Sequence, residues 1–301
     1  MKITCALCKN EKENKKNTHY LTDKIIRSCL NQDGCNEREK GLYYDISNTS
    51  PEIEFGFQRN TSIERVQQTL GRDTTDKEIN NAKKNPFSVD TVFCKECEDI
   101  FTSIESKFIT NILPLFREQN LNDKEELTHK DSKIIRLFFL LQIWRTSVCE
   151  STFVLSDTIK ENLRNLILAS FNASDKELKQ YPLSVTYLQT LGGSNEFTRN
   201  AVGPTCDGKQ PHIIFMNDFI IQFYEKESDI RFDNFYGLNS RNTFRKYINI
   251  NEDEFRFQIL SDAKRKSFLI NKDSGKRQKV IESELLERWK WIGRIKWSFL
   301  K

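Results

Sequence analysis

The chain has 301 residues, of which 37% are hydrophobic and 30% are charged, a composition typical of a globular protein rather than of a disordered one. Its longest apolar run, 137–141, is too short to cross a bilayer, so the sequence predicts no membrane association. The first residues are paired cysteines and charges, without the apolar stretch of a signal peptide, which favours a cytoplasmic protein. Thiols stay reduced in that compartment, so paired cysteines favour a metal site over disulfides.

The charge is unevenly distributed along the chain. Residues 264–301 carry 12 lysines and arginines against four acidic residues, so this segment is +8 while the whole chain is +4. This excess of positive charge predicts a contact with an anionic partner near the C-terminus. The basic segment Lys264–Lys266, together with Lys276 and Arg277, is the candidate for nucleic-acid contact. The tryptophans among the basic residues of 287–300 fit either base stacking or a helix packed on a core.

Periodicity and capping residues predict the following elements, in chain order: a helix over 24–30, two strands within 41–59, helices over 61–70 and 75–84, a strand over 89–93 and a helix over 97–113. A polar link over 117–131 then separates two predicted domains. The elements predicted after it are helices over 132–149 and 156–171, a hairpin over 213–224 that turns at Asn217-Asp218, a strand over 255–260 and a final helix over 281–299.

Two Cys-x-x-Cys motifs stand at the two ends of the predicted N-terminal module, at Cys5 and Cys8 and at Cys94 and Cys97. The spacing lets two thiolates turn onto one tetrahedral ion, and two such motifs supply the four sulfurs of a closed structural zinc site. The gap between them is far longer than the roughly 15–20 residues of an ordinary zinc ribbon, so the metal would hold a long insertion at its base. The alternative is a set of unrelated buried cysteines.

Three further residues are candidates for chemistry beside these cysteines. His19 follows the first motif, Glu98 directly follows Cys97, and Asp90 lies on the strand predicted before it. A strand-end histidine can take a proton from an attacking water, while carboxylates hold a divalent ion that stabilises the leaving oxygen. The alternatives are a histidine bonded to a backbone carbonyl, and acids that are solvated or cap a helix start. Cys29 and Cys35 could join His19 in a second metal site, or be ordinary thiols.

Residues 1–170 loosely resemble a group of bacterial HNH-endonuclease-like proteins. Those proteins have an N-terminal Cys-x-x-Cys motif, a Ser-His-Ile-Ile-Pro-like segment, and a Leu-Cys-x-x-Cys-Glu segment that leads into a helix with a second Glu. The matching segments here are Cys5-Ala-Leu-Cys8, Asn17-Thr-His-Tyr20, and Val92-Phe-Cys-Lys-Glu-Cys-Glu-Asp-Ile-Phe101 followed by Glu105. The similarity continues, less specifically, through Leu140–Ser147, which contains Trp144-Arg145, and through Asn162–Leu168.

The resemblance implies a ββα-metal nuclease braced by structural Zn²⁺, with His19 as general base and with Glu98 and Asp90 holding Mg²⁺ or Mn²⁺. It implies DNA rather than RNA as the substrate, anti-phage defence as the setting, and a possible protein partner from the same operon. Two positions depart from the family pattern, because Thr18 replaces the acid or histidine before the catalytic histidine, and Glu98 replaces a final histidine or asparagine. Glutamate can hold a hard cation through oxygen, but threonine is a poor substitute for a carboxylate.

The sequence therefore predicts an α+β protein with two domains. A zinc-clipped, HNH-like module would span 1–115, and a mainly helical domain with a β-hairpin would span 130–301. The leading hypothesis for function is a metal-dependent DNA endonuclease. The alternatives are a catalytically inactive zinc-binding adaptor, which recognises nucleic acid or a partner protein, and a sensor whose second domain binds a ligand or subunit. Arg145 could pair with a phosphate, or with an acid inside the core.

Overall fold

The structure is a computed structural model, and it describes residues 2–30, 42–45, 54–57, 63–76, 87–189, 201–204, 210–231, 238–239 and 243–269. The helix predicted over 281–299 lies outside the described residues, as do most of the helix predicted over 75–84 and the basic pair Lys276 and Arg277. Cys35 also lies outside them, and the side chain of Cys29 is not described, so the second metal site stays a prediction.

The described part of the N-terminal half contains six short strands: β1 (Lys2–Thr4), β2 (Glu11–Glu13), β3 (Thr18–His19), β4 (Leu42–Asp45), β5 (Glu54–Phe57) and β6 (Ser88–Val89). Its helices are α1 (Asp23–Leu30), α2 (Ile63–Leu70), α3 (Lys95–Asn111) and α4 (Pro114–Arg117). The strands pair antiparallel as β1 with β2, β3 with β6, and β4 with β5. The chain after β6 leads through a short loop into α3, so β3, β6 and α3 form a compact ββα unit. The elements predicted over 24–30, 41–59, 61–70 and 97–113 are thereby confirmed.

The C-terminal half is built on one six-stranded sheet. Its strands are β7 (Glu126–His129), β8 (Leu183–Leu188), β9 (Ala201–Pro204), β10 (His212–Asn217), β11 (Phe219–Phe223) and β12 (Phe255–Leu260). The order across the sheet is β7-β12-β8-β11-β10-β9, and β12 with β8 is its one parallel pair. The helices are α5 (Ser132–Cys149), α6 (Asp157–Ala169), α7 (Asp175–Lys179) and a helix over 262–269.

The α+β class is confirmed, but the expectation of a mainly helical second domain was wrong. The hairpin, its turn and the strand over 255–260 are where the sequence predicts them, whereas three other strands of the sheet were missed. β8 is buried at every position and lacks the alternation of a half-exposed strand. β7 lies inside the predicted polar link, where it pairs with β12, and β9 contains the Gly203-Pro204 pair that predicts a loop. β7 and β9 form strands because they pair with strands that are distant in sequence, and not because of a local sequence pattern.

Helix α5 is the element around which both halves pack. Its 18 residues are buried on almost every side, which explains why they are apolar all round rather than amphipathic. Phe139 packs edge-on against Phe257 of the sheet, with ring centroids 6.2 Å apart. Trp144, on the same helix, lies 5.9 Å from the ring of Phe93 in the N-terminal half. One hydrophobic cluster consequently runs from Cys5 to Phe257 across the predicted boundary between the domains.

Candidate metal centre

The β1–β2 hairpin and the start of α3 present the two cysteine motifs to each other. After β1 the chain turns tightly, with the Lys9 amide donating to the Cys5 carbonyl at 2.9 Å and Lys9 itself at a positive φ of 62°. Cys94 is the extended N-cap of α3, so the first helical turn carries Cys97 back toward it. The Ala6 amide donates to the Val92 carbonyl at 3.0 Å, which joins the two motifs through their backbones.

The four sulfurs lie within 4.8 Å of one another, although the two pairs are distant in sequence. The Cys8 and Cys94 sulfurs are 4.0 Å apart, which is too far for a disulfide. Four thiolates bound tetrahedrally at a Zn–S distance of about 2.3 Å would be about 3.8 Å apart, so the cluster has the size of a zinc site. The Cys94 amide donates to the Cys5 sulfur at 3.4 Å, a contact that favours a thiolate there. The structure thus brings together the four predicted ligands in a site that could bind an ion such as zinc.

The shifted pKa values of the cysteine thiols give a second reason to expect a cation at this site. A hydrogen bond from Cys97 lowers the pKa of Cys5 to about 4, against the effect of burial. Burial raises the pKa of Cys94 to about 11, and the pKa of Cys97 is raised by its hydrogen bond to Cys5 and by burial. Burial therefore opposes ionisation of Cys94 and Cys97, and a neighbouring cation would offset that effect. A bound divalent ion would release the remaining protons.

Arg164 of α6 holds the first cysteine motif against the rest of the molecule. One guanidinium nitrogen donates to the carbonyl of Leu7, which lies between the two cysteines of the motif. The same side chain is held in place by Glu161 at 2.7 Å. The motif is therefore fixed to the helical layer as well as to the second motif.

His19 lies at the end of β3, opposite Ser88 of β6. The side chain is partly buried, and the backbone carbonyl accepts a hydrogen bond from Nη1 of Arg145 at 2.9 Å. The sequence therefore correctly placed a histidine at a strand end within a ββα unit.

Glu98 lies in the first turn of α3 and faces Thr18 of β3. Burial raises the pKa of Glu98, and this effect outweighs the charge of Arg145 and the hydroxyl of Thr18, both of which lower it. Thr18 is only 1% exposed. Its Oγ1 and one carboxylate oxygen of Glu98 are buried without a hydrogen bond of ordinary geometry. The Thr18 hydroxyl and the Glu98 carboxylate are thus polar neighbours where β3 meets the first turn of α3.

Asp90 has a different role in this structure. Its Oδ1 accepts a hydrogen bond from the backbone amide of Asn17 at 2.8 Å, and its carbonyl accepts one from the Asn14 side chain at 2.9 Å. Asp90 therefore fixes the turn that leads into β3, in which Asn17 has a positive φ of 53°. Among the residues described, the four cysteines are the one group of three or more His, Cys, Asp or Glu side chains that could share an ion. His19, Asp90 and Glu98 are not gathered into another.

The sequence did not predict the buried polar cluster that lies beside β3. Arg145 forms an ion pair with Glu105, and Gln142 accepts a hydrogen bond from the Thr22 amide at 3.1 Å. Arg145 is thus paired with an acid in the core, rather than free to hold a phosphate. Arg145 was predicted to pair with a phosphate or with an acid in the core, and Glu105 is the second Glu after the Cys94–Cys97 motif. The sequence analysis assigned no role to Gln142 or Thr22.

The basic segment at 264–266 offers less free charge than its composition indicates. Lys264 pairs with Glu125 at 3.3 Å, and Lys266 pairs with Asp262 at 3.0 Å. Arg265 is buried and also contacts Asp262. Each of these three cations therefore has an acidic neighbour, and a nucleic-acid contact by this segment stays a prediction.

Within the described ranges, no helix combines the length and the apolar character needed to cross a membrane. The longest of them, α5, contains Lys133, Arg136 and Arg145. Comparison of the chain with protein-family models, with curated proteins and with solved structures finds no match.

Proposed function

We propose that the protein is a metal-dependent endonuclease of the ββα-metal type that hydrolyses DNA phosphodiesters. The resemblance to HNH-endonuclease-like proteins supports a role in anti-phage defence. The observation that supports the proposal is the ββα unit of β3, β6 and α3, in which Thr18, the neighbour of His19 on β3, contacts Glu98 in the first turn of the helix. The cysteine cluster braces the two ends of this unit.

The residues divide the chemistry between them as follows. The His19 imidazole is the general base that accepts a proton from the attacking water. The Glu98 carboxylate, with the Thr18 hydroxyl, would hold Mg²⁺ or Mn²⁺, which when bound supplies charge stabilisation to the phosphate oxygens. Cys5, Cys8, Cys94 and Cys97 would hold a zinc ion through four sulfurs and leave no open position, so its role would be structural. Asp90 contributes through the turn that it holds before β3.

The experiment that tests this proposal compares histidine variants on supercoiled plasmid DNA with Mg²⁺ or Mn²⁺. His19→Ala is expected to reduce the cleavage rate by about 100-fold or more, because general bases contribute typically 10²–10⁴-fold. His129→Ala is the matched control, since His129 lies on β7 and its Nδ1 accepts a hydrogen bond from the Asp131 amide. Equal cleavage by wild type and His19→Ala, or no cleavage by either, would contradict the proposal that the isolated chain is a nuclease.

A catalytically inactive, zinc-braced adaptor is the second candidate, and two observations favour it. Thr18 stands where the resembling family has an acid or histidine, and the carboxylate of Asp90 already serves the Asn17 amide. Glu98 is then the carboxylate that the described residues place beside Thr18. An adaptor would bind DNA or a partner protein equally well with and without Mn²⁺, and Glu98→Gln would leave that binding unchanged. In a nuclease, the same variant would weaken activation by Mn²⁺.

A further inference from the structure

The strand that carries His19 is held by a helix from the opposite half of the chain. Nη1 of Arg145, on α5, donates to the His19 carbonyl at 2.9 Å, and its Nη2 forms an ion pair with Glu105 of α3. The same oxygen of Glu105 accepts a hydrogen bond from the Thr22 hydroxyl at 2.8 Å. Arg145 and Glu105 therefore hold the chain on both sides of the turn that follows β3.

Gln142 completes this arrangement, and we call Arg145, Glu105, Gln142 and Thr22 the Arg145 cluster. The side-chain oxygen of Gln142 accepts from the Thr22 amide at 3.1 Å and from Nη2 of Arg145 at 3.0 Å. Gln142 is fully buried, and Arg145 is 2% exposed. A guanidinium this deeply buried is not available to a phosphate, but its planar fork can hold several acceptors in one fixed geometry.

Arg145 also faces the side of α3 on which Glu98 lies. Glu98, Phe101 and Glu105 follow one another at spacings of three and four residues, so they share one face of the helix. The guanidinium carbon of Arg145 lies 5.3 Å from the centre of the Phe101 ring, between the two acids. One side chain thus contacts both the backbone of the His19 strand and the helix face that carries Glu98.

We propose that Arg145 is a positioning residue, which fixes the His19 strand relative to the first turn of α3 and so sets the geometry of the site. The proposal rests on the proposed nuclease function for its catalytic consequence, but its structural content can be measured without activity. A lysine in this place keeps the charge, but a single ammonium group cannot reproduce the planar fork.

The test compares Arg145→Lys with Arg164→Lys by amide hydrogen exchange, in full-length protein with its zinc content measured. Arg164 is the matched control, because it also bonds a backbone carbonyl of the N-terminal half, at Leu7 instead of His19. Arg145→Lys is expected to speed exchange of the Tyr20 and Thr22 amides by about tenfold or more, the size of effect that follows from losing a charged hydrogen bond. The amides of residues 5–10 are expected to keep their rates. Arg164→Lys should give the reverse pattern.

Steady-state DNA cleavage supplies the second measurement. Arg145→Lys is expected to lower kcat by about tenfold or more with KM for DNA unchanged, since a misplaced base affects the transition state rather than binding. His129→Ala, whose side chain lies on β7 away from this cluster, is expected to leave both constants near their wild-type values. If wild type does not cleave DNA, the proposed function fails, while the exchange rates still decide whether Arg145 fixes the strand.

The proposal is overturned if exchange at Tyr20 and Thr22 is the same in Arg145→Lys and wild type. It is also overturned if kcat falls only in proportion to the fraction of folded protein. Should Arg145→Lys not fold, Glu105→Gln decides by the same criteria, because it keeps an acceptor for Thr22 and removes only the charge that pairs with Arg145. Faster exchange confined to residues 18–22 then supports the proposal, and unchanged exchange rejects it.

Discussion

Asp218, in the turn between β10 and β11, forms a buried ion pair that ties the sheet to the N-terminal half. Its two carboxylate oxygens accept from Nε and Nη2 of Arg117 at 2.7 and 2.9 Å. The Arg117 guanidinium also donates to the Ile25 carbonyl of α1 at 3.1 Å, and the Asn217 side chain donates to the same carbonyl at 3.0 Å. Asp218 is completely buried, so its charge is offset by these partners rather than by water.

Asp218→Asn is expected to lower the free energy of unfolding by about 3 kcal/mol, because it leaves the Arg117 charge buried without its counter-ion. Urea denaturation followed by circular dichroism measures the change. The control is Asp253→Asn, which removes one partner of the Lys179–Asp253 pair at 2.6 Å, where the carboxylate is 96% exposed. That variant should unfold close to wild type. A similar urea midpoint for both variants would show that the buried ion pair contributes no more to stability than the exposed pair does.

At the scale of elements, the two cysteine motifs join a hairpin to a helix that is distant in sequence. Cys5, Cys94 and Cys97 are buried among the residues of the main hydrophobic cluster. Losing the ion would leave the buried thiols without the attraction that holds them together, so the β1–β2 hairpin would separate from α3.

We expect one zinc ion per chain by elemental analysis, and Cys97→Ser should abolish it. Because a structural zinc ion contributes several kcal/mol to folding, its loss should lower the thermal midpoint by about 10 °C. Cys149→Ser is the control: Cys149 lies at the end of α5, where burial raises the pKa of its thiol to about 12, and it should keep both metal and stability. A metal-free, stably folded wild-type protein would contradict the site.

At the scale of the whole molecule, the two predicted domains share one hydrophobic cluster through α5. Trp144 packs on Phe101 of the N-terminal half at 6.1 Å, while Phe139 packs on Phe219 of the sheet at 5.9 Å. A helix that fills both interfaces couples their unfolding, because neither half can lose it without exposing apolar surface.

Zinc release, followed with a chromogenic chelator, and loss of far-ultraviolet circular dichroism are therefore expected to coincide in one thermal transition. The variant Trp144→Ala should shift both signals together to lower temperature, by an amount that corresponds to about 3–5 kcal/mol. Two separated transitions, with zinc lost first, would instead support the division at 115 and 130.

The sequence alone determined those features of the protein that depend on local pattern. The cysteine spacing predicted the four ligands, and helical periodicity and turn chemistry predicted α5, α6 and the β10–β11 hairpin with its Asn217-Asp218 turn. The tertiary structure decided everything that depends on distant pairing. It made strands of β7 and β9, used Asp90 to hold a backbone turn, and gave Arg145 an acid and a carbonyl as partners. The residue type determines the chemistry of a side chain, but tertiary packing determines which partner it contacts. Packing brings together residues that no local sequence pattern connects.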